Sequence, residues 1–346
     1  YFSDPALGDD FQRAVFVDPY TGRILGDEPT WFGYLPLSTW LDGLHRHLQL
    51  GEPGRVYSEL AASWLWVVAL GGLYLWLVRP AASRLARRRS ARQRSLRLHG
   101  RVGIWVLVML LFLSATGITW STYAGAHVSD IRTALHWQRP ALDTATTVHH
   151  DGHGHMSPAA GTTDLDRVVA TADAAGVHAP VELTLPADGG EPVSVTEIDA
   201  PFRLTTNAAA VDPQTSTVVA AIDYWRDYSV IAMLADWGIR LHMGFLFGLA
   251  NQLLLLGVAV ATVVLIVVGY RMWWQRRPTR GARWRAGRTP RRGVLRALSL
   301  PAVAGVAAGT LAIGWFLPLL GLSLLGFLLV DAGVGMLQRR RATQLG

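Results

Sequence analysis

Trp40-Leu41-Asp42-Gly43-Leu44-His45 returns, without a gap, as Trp237-Gly238-Ile239-Arg240-Leu241-His242, an offset of 197 residues. At the same offset Gly51 matches Gly248, Gly72 matches Gly269, Trp76 matches Trp273 and Arg79 matches Arg276. Between the matched ends of each copy lies an apolar stretch long enough to cross a bilayer. A repeat of this kind organises everything around it. Two copies of one spanning segment, each with a histidine at the same depth, point to a paired site on an internal two-fold.

The composition agrees with a membrane protein. The 346 residues are 51% hydrophobic, with mean hydropathy +0.25. Leu60–Val78, Val102–Ser121, Phe245–Val268 and roughly Leu298–Leu337 carry almost no charge. A helix needs about 20 residues to span the hydrocarbon core. The last stretch holds Pro318 near its centre and suits two helices with a tight turn, so five crossings are expected. Asp331 makes the fifth the weakest, because an acid at that depth is costly.

All 32 basic residues are arginines; the chain contains no lysine. Nine lie between Arg79 and Arg101, nine between Arg276 and Arg296, and three at Arg339–Arg341. Residues 124–236 hold five arginines against fifteen acids. By the positive-inside rule the arginine loops are cytoplasmic and the acidic segment lies outside the cytoplasmic membrane. These runs flank apolar spans, so they read as orientation signals and lipid contacts, and no nucleic-acid partner is expected. With no cysteine, disulfides, iron–sulfur clusters and covalent haem attachment are excluded.

The chain divides as follows. Residues 1–40 form a partial first outer module, and 41–79 a spanning helix with its outer histidine. Residues 80–101 are an arginine-rich inner loop, and 102–123 a helix returning outward. Residues 124–236 carry a second outer module, and 237–275 the second histidine-bearing span. A second inner loop (276–297), a C-terminal hairpin (298–337) and an inner tail (338–346) complete the chain. The stretches 14–25 and 208–219 each join an apolar run to Asp-Pro-x-Thr and resume, which predicts paired β-hairpins. In the second module Asp164–Ala175 reads as a helix; Pro180–Leu185, Val193–Glu197 and Phe202–Thr206 read as strands. Nothing equivalent to Val102–Ser121 precedes the first copy, so the repeat predicts one more helix ahead of residue 1.

The histidines carry the chemistry. His45 and His242 are expected at the outer edge, and His99 at the inner start of its helix. Neutral imidazole ligates haem iron, and helical bundles build such sites from facing helices. A lone interfacial histidine is more often a headgroup contact or a hydrogen-bonded anchor, but duplication favours a shared site for His45 and His242. His47 has Gly244 as its counterpart and is a substitute ligand at most. Gly51, Gly100, Gly103, Gly244 and Gly248 would admit a flat macrocycle, or simply close helix packing. His149, His150, His153 and His155 fall in one Gly-containing loop that could capture a metal ion or be only a solvated linker. Asn251 and Gln252 suit interhelical bonds. No dinucleotide or Walker motif appears, so electrons would come from a separate cytoplasmic donor.

Leu44-His45-x-x-Leu48-x-Leu50-Gly51-Glu52-x-Gly54-Arg55, Leu98-His99-Gly100-x-x-Gly103, Thr116-Gly-Ile-Thr-Trp120 and Leu241-His242-x-Gly244-x-x-Phe247-Gly248 together resemble the PepSY-associated transmembrane helix family, and the two hairpins resemble its PepSY modules. The resemblance implies a mainly α membrane protein: a transmembrane helical bundle with an internal repeat, plus extracytoplasmic α+β PepSY-like modules. It further implies two b-type haems. His45 and His242 would ligate the outer one, and His99 the inner one together with a histidine of the helix expected ahead of residue 1. The implied activity is a ferric or siderophore reductase of the inner membrane, passing electrons to an extracytoplasmic ferric chelate or siderophore. The alternative is a membrane-anchored PepSY protein that binds peptide or metal without catalysis.

Overall fold

The computed structural model describes residues 1–7, 11–31, 33–78, 91–142, 164–186, 191–276 and 298–344. It is mainly helical, with four long apolar helices and two small antiparallel sheets. The chain separates into two units, one of residues 1–75, 117–127 and 288–346, the other of residues 76–116 and 128–287.

The first unit opens with the sheet β1 (Phe2–Ser3), β2 (Gln12–Val17) and β3 (Ile24–Thr30), all antiparallel. A short helix α1 (Pro36–His47) follows, and then the long helix α2 (Glu52–Leu77). The sequence suggested one span over 41–79, but the chain breaks between these helices. Leu48, Gln49 and Gly51 take φ of 54°, 56° and 64°, the left-handed region that ends a helix. Gly54 is buried just beyond the break, and a Cβ there would lie 1.8 Å from the His47 carbonyl oxygen. Only glycine permits that approach.

The C-terminal stretch forms α9 (Leu300–Phe316) and α10 (Pro318–Gln344), with the turn at Pro318 that the sequence suggests. Gly314 and Gly321 meet across it, backbone to backbone. The 17 residues of α9 are about 25 Å long. That is short of a full crossing, whereas α10 is long enough. Among the described residues four helices are therefore candidate spans, with α9 a shorter apolar helix. Trp64 donates its indole N–H to Ser323 Oγ at 2.9 Å, tying α2 to α10.

The second unit contains α3 (Ala91–Ile118) up to Thr116, and most of α4 (Ala124–Ala134). Its α+β module is α5 (Leu165–Ala174) on a four-stranded meander of β4 (Val181–Thr184), β5 (Val193–Glu197), β6 (Ala208–Asp212) and β7 (Thr217–Ile222). Asp164 caps α5 by accepting the Arg167 N–H. Alternating residues of β5 and β6 point at α5, so Val193, Val195, Ala209 and Val211 close on Val168, Ala172 and Val177. Each buried valine contributes roughly 1.5–3 kcal/mol.

Both expected hairpins form, and they match in detail. Each has a register shift in the strand just before its turn, at Phe16/Val17 and Ala210/Val211. Asp18 accepts the Tyr20 N–H and the Thr21 hydroxyl; Asp212 accepts the Gln214 N–H and the Thr215 hydroxyl. Gly22 and Ser216 close the turns at φ 67° and 56°. The hydroxyl of Thr21 and the backbone N–H of Tyr20 hold the Asp18 carboxyl below its ordinary pKa. For Asp212 the backbone N–H of Gln214 is the main cause.

The strand expected at Phe202–Thr206 is absent. Phe202 has φ 65°, and its N–H bonds to the Leu246 carbonyl instead of a strand. The Arg203 guanidinium covers the carbonyls of Pro180, Ile198 and Ala179. Glu197, 3% exposed, accepts from Thr205 Oγ1 and the Asn207 N–H. Side chains take the bonds that a sheet partner would have supplied.

The unit ends in α6 (Tyr224–Asp227), α7 (Val230–Met243) and the long α8 (Gly248–Arg276). At most 17% of any spanning window is buried within the protein, so lipid must cover the remainder.

Candidate functional site

His242 stands in the last turn of α7, and several interactions fix that helix. Ser229 caps it, accepting the Ala232 N–H. Trp237 donates its indole N–H to the Leu204 carbonyl at 2.9 Å. Arg240, 4% exposed, lies 2.6 Å from Asp199 and 3.4 Å from Asp236, and it donates to the Arg203 carbonyl. Asp236 also meets Arg139 at 2.8 Å and the Tyr224 hydroxyl at 3.2 Å. Burial, and then the Asp236 charge, push the Tyr224 phenol well above its usual pKa, so it remains a donor. The helix ends at Gly244 (φ 87°), and Asn251 of α8 reaches back to bond the Leu241 carbonyl at 2.9 Å. This is the interhelical bond suggested for that polar pair.

The imidazole itself is held by α3. Thr116 Oγ1 lies 2.7 Å from His242 Nδ1. The same hydroxyl points at the Phe112 carbonyl, 2.9 Å away in the previous turn. A hydroxyl has one proton; given to Phe112, it leaves Oγ1 to accept Nδ1–H. That selects the tautomer whose lone pair is on Nε2, the nitrogen a metal ion uses when Nδ1 is anchored. Gly238 makes the contact possible, since a Cβ there would sit 3.3 Å from Thr116 Cγ2.

His99 lies toward the other end of α3. Its Nδ1 is buried and has no hydrogen-bond partner among the described residues. Gly269 of α8 faces it, with a built Cβ 3.8 Å from His99 Cε1, and Gly103 meets Leu265 one turn on. Helices α3 and α8 are thus antiparallel neighbours. Seventeen residues separate His99 from Thr116, so the two imidazole levels are about 26 Å apart along α3. Arg97 Nε and Gln275 Oε1, on the same two helices, are also buried without a hydrogen bond.

His45 and His47 belong to the first unit. His45 is exposed on the last turn of α1, and His47 is half-buried with Nδ1 enclosed and unbonded. The loop of His149, His150, His153 and His155 lies outside the described residues. Among the described residues no three histidines or acids converge on a metal position. The glycines expected to admit a macrocycle have other uses. Gly51, Gly244 and Gly248 provide positive φ at helix breaks, while Gly100 and Gly103 receive Trp76 and Leu265.

Several residues went unnoticed in the sequence. Glu59 of α2 is 4% exposed, and its two oxygens accept the N–H groups of Tyr123 and Ala124 at 3.0 and 2.9 Å. A carboxylate from one helix thereby caps the start of α4, where the helix dipole favours it. Arg55 adds bonds to Thr122 Oγ1 and the Trp120 carbonyl. His127 stacks on Trp315 at 4.7 Å and bonds the Phe316 carbonyl. Thr116 and Arg240 complete the set, and only clustered spacing around the histidines could have pointed to them.

No curated protein matches this chain. The family model for the PepSY-associated TM region does match, over residues 3–276. That span contains the repeat, both hairpins, His45, His47, His99 and His242, and three of the four long helices. The chain is a multi-pass membrane protein and belongs to the PepSY-associated transmembrane family.

Proposed function

We propose that this protein is a haem b electron conduit across the cytoplasmic membrane, reducing a ferric chelate or siderophore on the extracytoplasmic side. The observation that carries the reading is the placement of two imidazoles at two levels along α3, His99 on the helix itself and His242 of α7 against it. His242 is oriented by Thr116 toward one end of α3, and His99 has an enclosed, unbonded nitrogen opposite Gly269 toward the other. The residues fit the group. The hydroxyl beside His242 Nδ1 supports the reading, because the second nitrogen of a metal-bound histidine is ordinarily hydrogen-bonded, and the unpartnered His99 nitrogen is a polar atom that a bound group could satisfy.

In this reading His242 and His45 hold the outer haem, with His47 as the substitute, and His99 supplies a ligand of the inner one. Bound haem would supply a one-electron ferric/ferrous couple at each level. The hydrocarbon core is about 30 Å thick, too wide for a single cofactor, and the spacing of the two levels suits a relay. Thr116 holds the His242 ring, and Gly269 leaves room for the His99 ring against α8. Arginine-rich loops mark the cytoplasmic side, where a donor would dock. The histidine-rich loop at 149–155 would lie outside and could gather metal ions.

The test is ligand-specific loss of haem. His242→Ala should remove one haem while leaving the other, and His99→Ala should do the reverse. Retention of both in folded variants would defeat the proposal. The second reading is a non-catalytic binding protein anchored by its helices, and a cleft in the first module is the observation in its favour.

A further inference from the structure

Between the first sheet and α1 lies a cleft of about 490 Å³, within the range typical of small-molecule sites. Phe11, Trp31 and Trp40 supply aromatic walls, and Arg46, His47 and Gln49 line its polar end. The Arg46 guanidinium lies 4.4 Å from the centroid of the Trp31 ring. This is a cation–π contact, and it uses none of the guanidinium N–H donors. Its nearest acid, Asp42, is 3.4 Å from Nε, and among the described residues Nε has no hydrogen bond. His47 Nδ1 is likewise buried and unbonded. Gln49 folds back over Gly43, donating to the Trp40 carbonyl, from a turn in which Leu48 and Gln49 both have left-handed φ. Two consecutive non-glycine residues in that region are strained, and such strain gathers at ligand clamps.

The internal repeat gives a second, independent argument. The second copy keeps Trp237, Leu241 and His242 but has Met243, Gly244 and Leu246 where the first has Arg46, His47 and Gln49. Gly43 itself is replaced by Arg240. The shared helix–turn–helix plan therefore does not need the polar set. In the first copy Arg46, His47 and Gln49 all line the cleft.

We propose that this cleft binds a planar aromatic carboxylate, its ring against Phe11 and Trp40 and its carboxylate on the donor edge of Arg46 with His47 beside it. Guanidinium recognises carboxylate by paired, parallel N–H bonds, and the aromatic walls reward a flat ring. The site shares His47 with the haem reading only where that residue stands in as the substitute ligand; with His45 as the ligand, neither depends on the other.

The test is calorimetric titration of the full chain in lipid nanodiscs with indole-3-acetate, indole-3-acetamide and tryptamine, corrected against empty discs. The carboxylate should bind saturably and at least tenfold more tightly than the amide or the amine. Arg46→Gln should abolish that preference. Trp40→Ala should weaken all three probes while preserving the preference, which covers the case in which Arg46→Gln misfolds. No saturable binding, equal binding of tryptamine, or a preference that survives Arg46→Gln in folded protein would each overturn the proposal. Haem content is read from the visible spectrum of the same samples, so the two readings fail separately.

Discussion

Replacing Thr116 by valine isolates the contact that orients His242. The Cγ2 methyl of Thr116 packs on Gly238, and valine keeps that methyl, so the α3–α7 packing survives. Only the hydroxyl is lost. His242 Nδ1 then loses its 2.7 Å partner, and with it the contact that orients the ring from α3. Groups that orient a metal-ligating histidine are worth about 10–100-fold in affinity, or about 1.4–2.7 kcal/mol. The expected result of titrating haem into the depleted variant is two classes of site: one weakened by that factor and one unchanged at His99. Thr116→Ser, which restores the hydroxyl, should recover most of the loss. The reasoning is refuted if Thr116→Val binds both haems as the parent does, or if serine is no better than valine.

Other consequences can be checked separately. Gly269→Leu drives a side chain into His99 and should remove the inner haem signal, read by low-temperature absorbance, with the outer signal intact. Glu59→Ala leaves the Tyr123 and Ala124 amides without their buried acceptor; it should destabilise the solubilised protein by about 1–3 kcal/mol in thermal unfolding. Glu197→Ala should loosen the α+β module, seen as faster amide exchange in β5 and β6 at a cost of at least about 2 kcal/mol. The depressed carboxyl of Asp212 stabilises its hairpin fully above the ordinary aspartate pKa, near 4. That contribution is lost as the pH falls through the lower folded value. Exchange in β6–β7 should therefore accelerate on acidification below about pH 4 in the parent, and much less in Asp212→Asn.

How much of this was legible depended on where the hydrogen bonds go. The Asp-Pro-x-Thr hairpins could be read because the turn chemistry is local: aspartate bonds its own neighbours at residues 18–21 and 212–215. The long spans could be read from length and polarity alone. The segment Phe202–Thr206 misled because its groups are satisfied by Glu197, Trp237 and Arg240, distant side chains that no local pattern announces. The break after α1 was hidden for a similar reason, since Leu48 and Gln49 are not residues that advertise left-handed φ. The histidines of the site were visible through the repeat, whereas their supports were not. Thr116 is 126 positions from His242, and Glu59 reads as the polar edge of an apolar run until its amide partners are seen.

The central claim is that paired histidines make this membrane protein a haem carrier. A dithionite-reduced minus air-oxidised absorbance spectrum of the protein, purified from haem-replete cells with its haem-to-protein ratio, tests it most directly. The account predicts the sharp bands of a low-spin b haem, diminished in stoichiometric steps by His242→Ala and His99→Ala. A colourless, folded protein from those cells would contradict it.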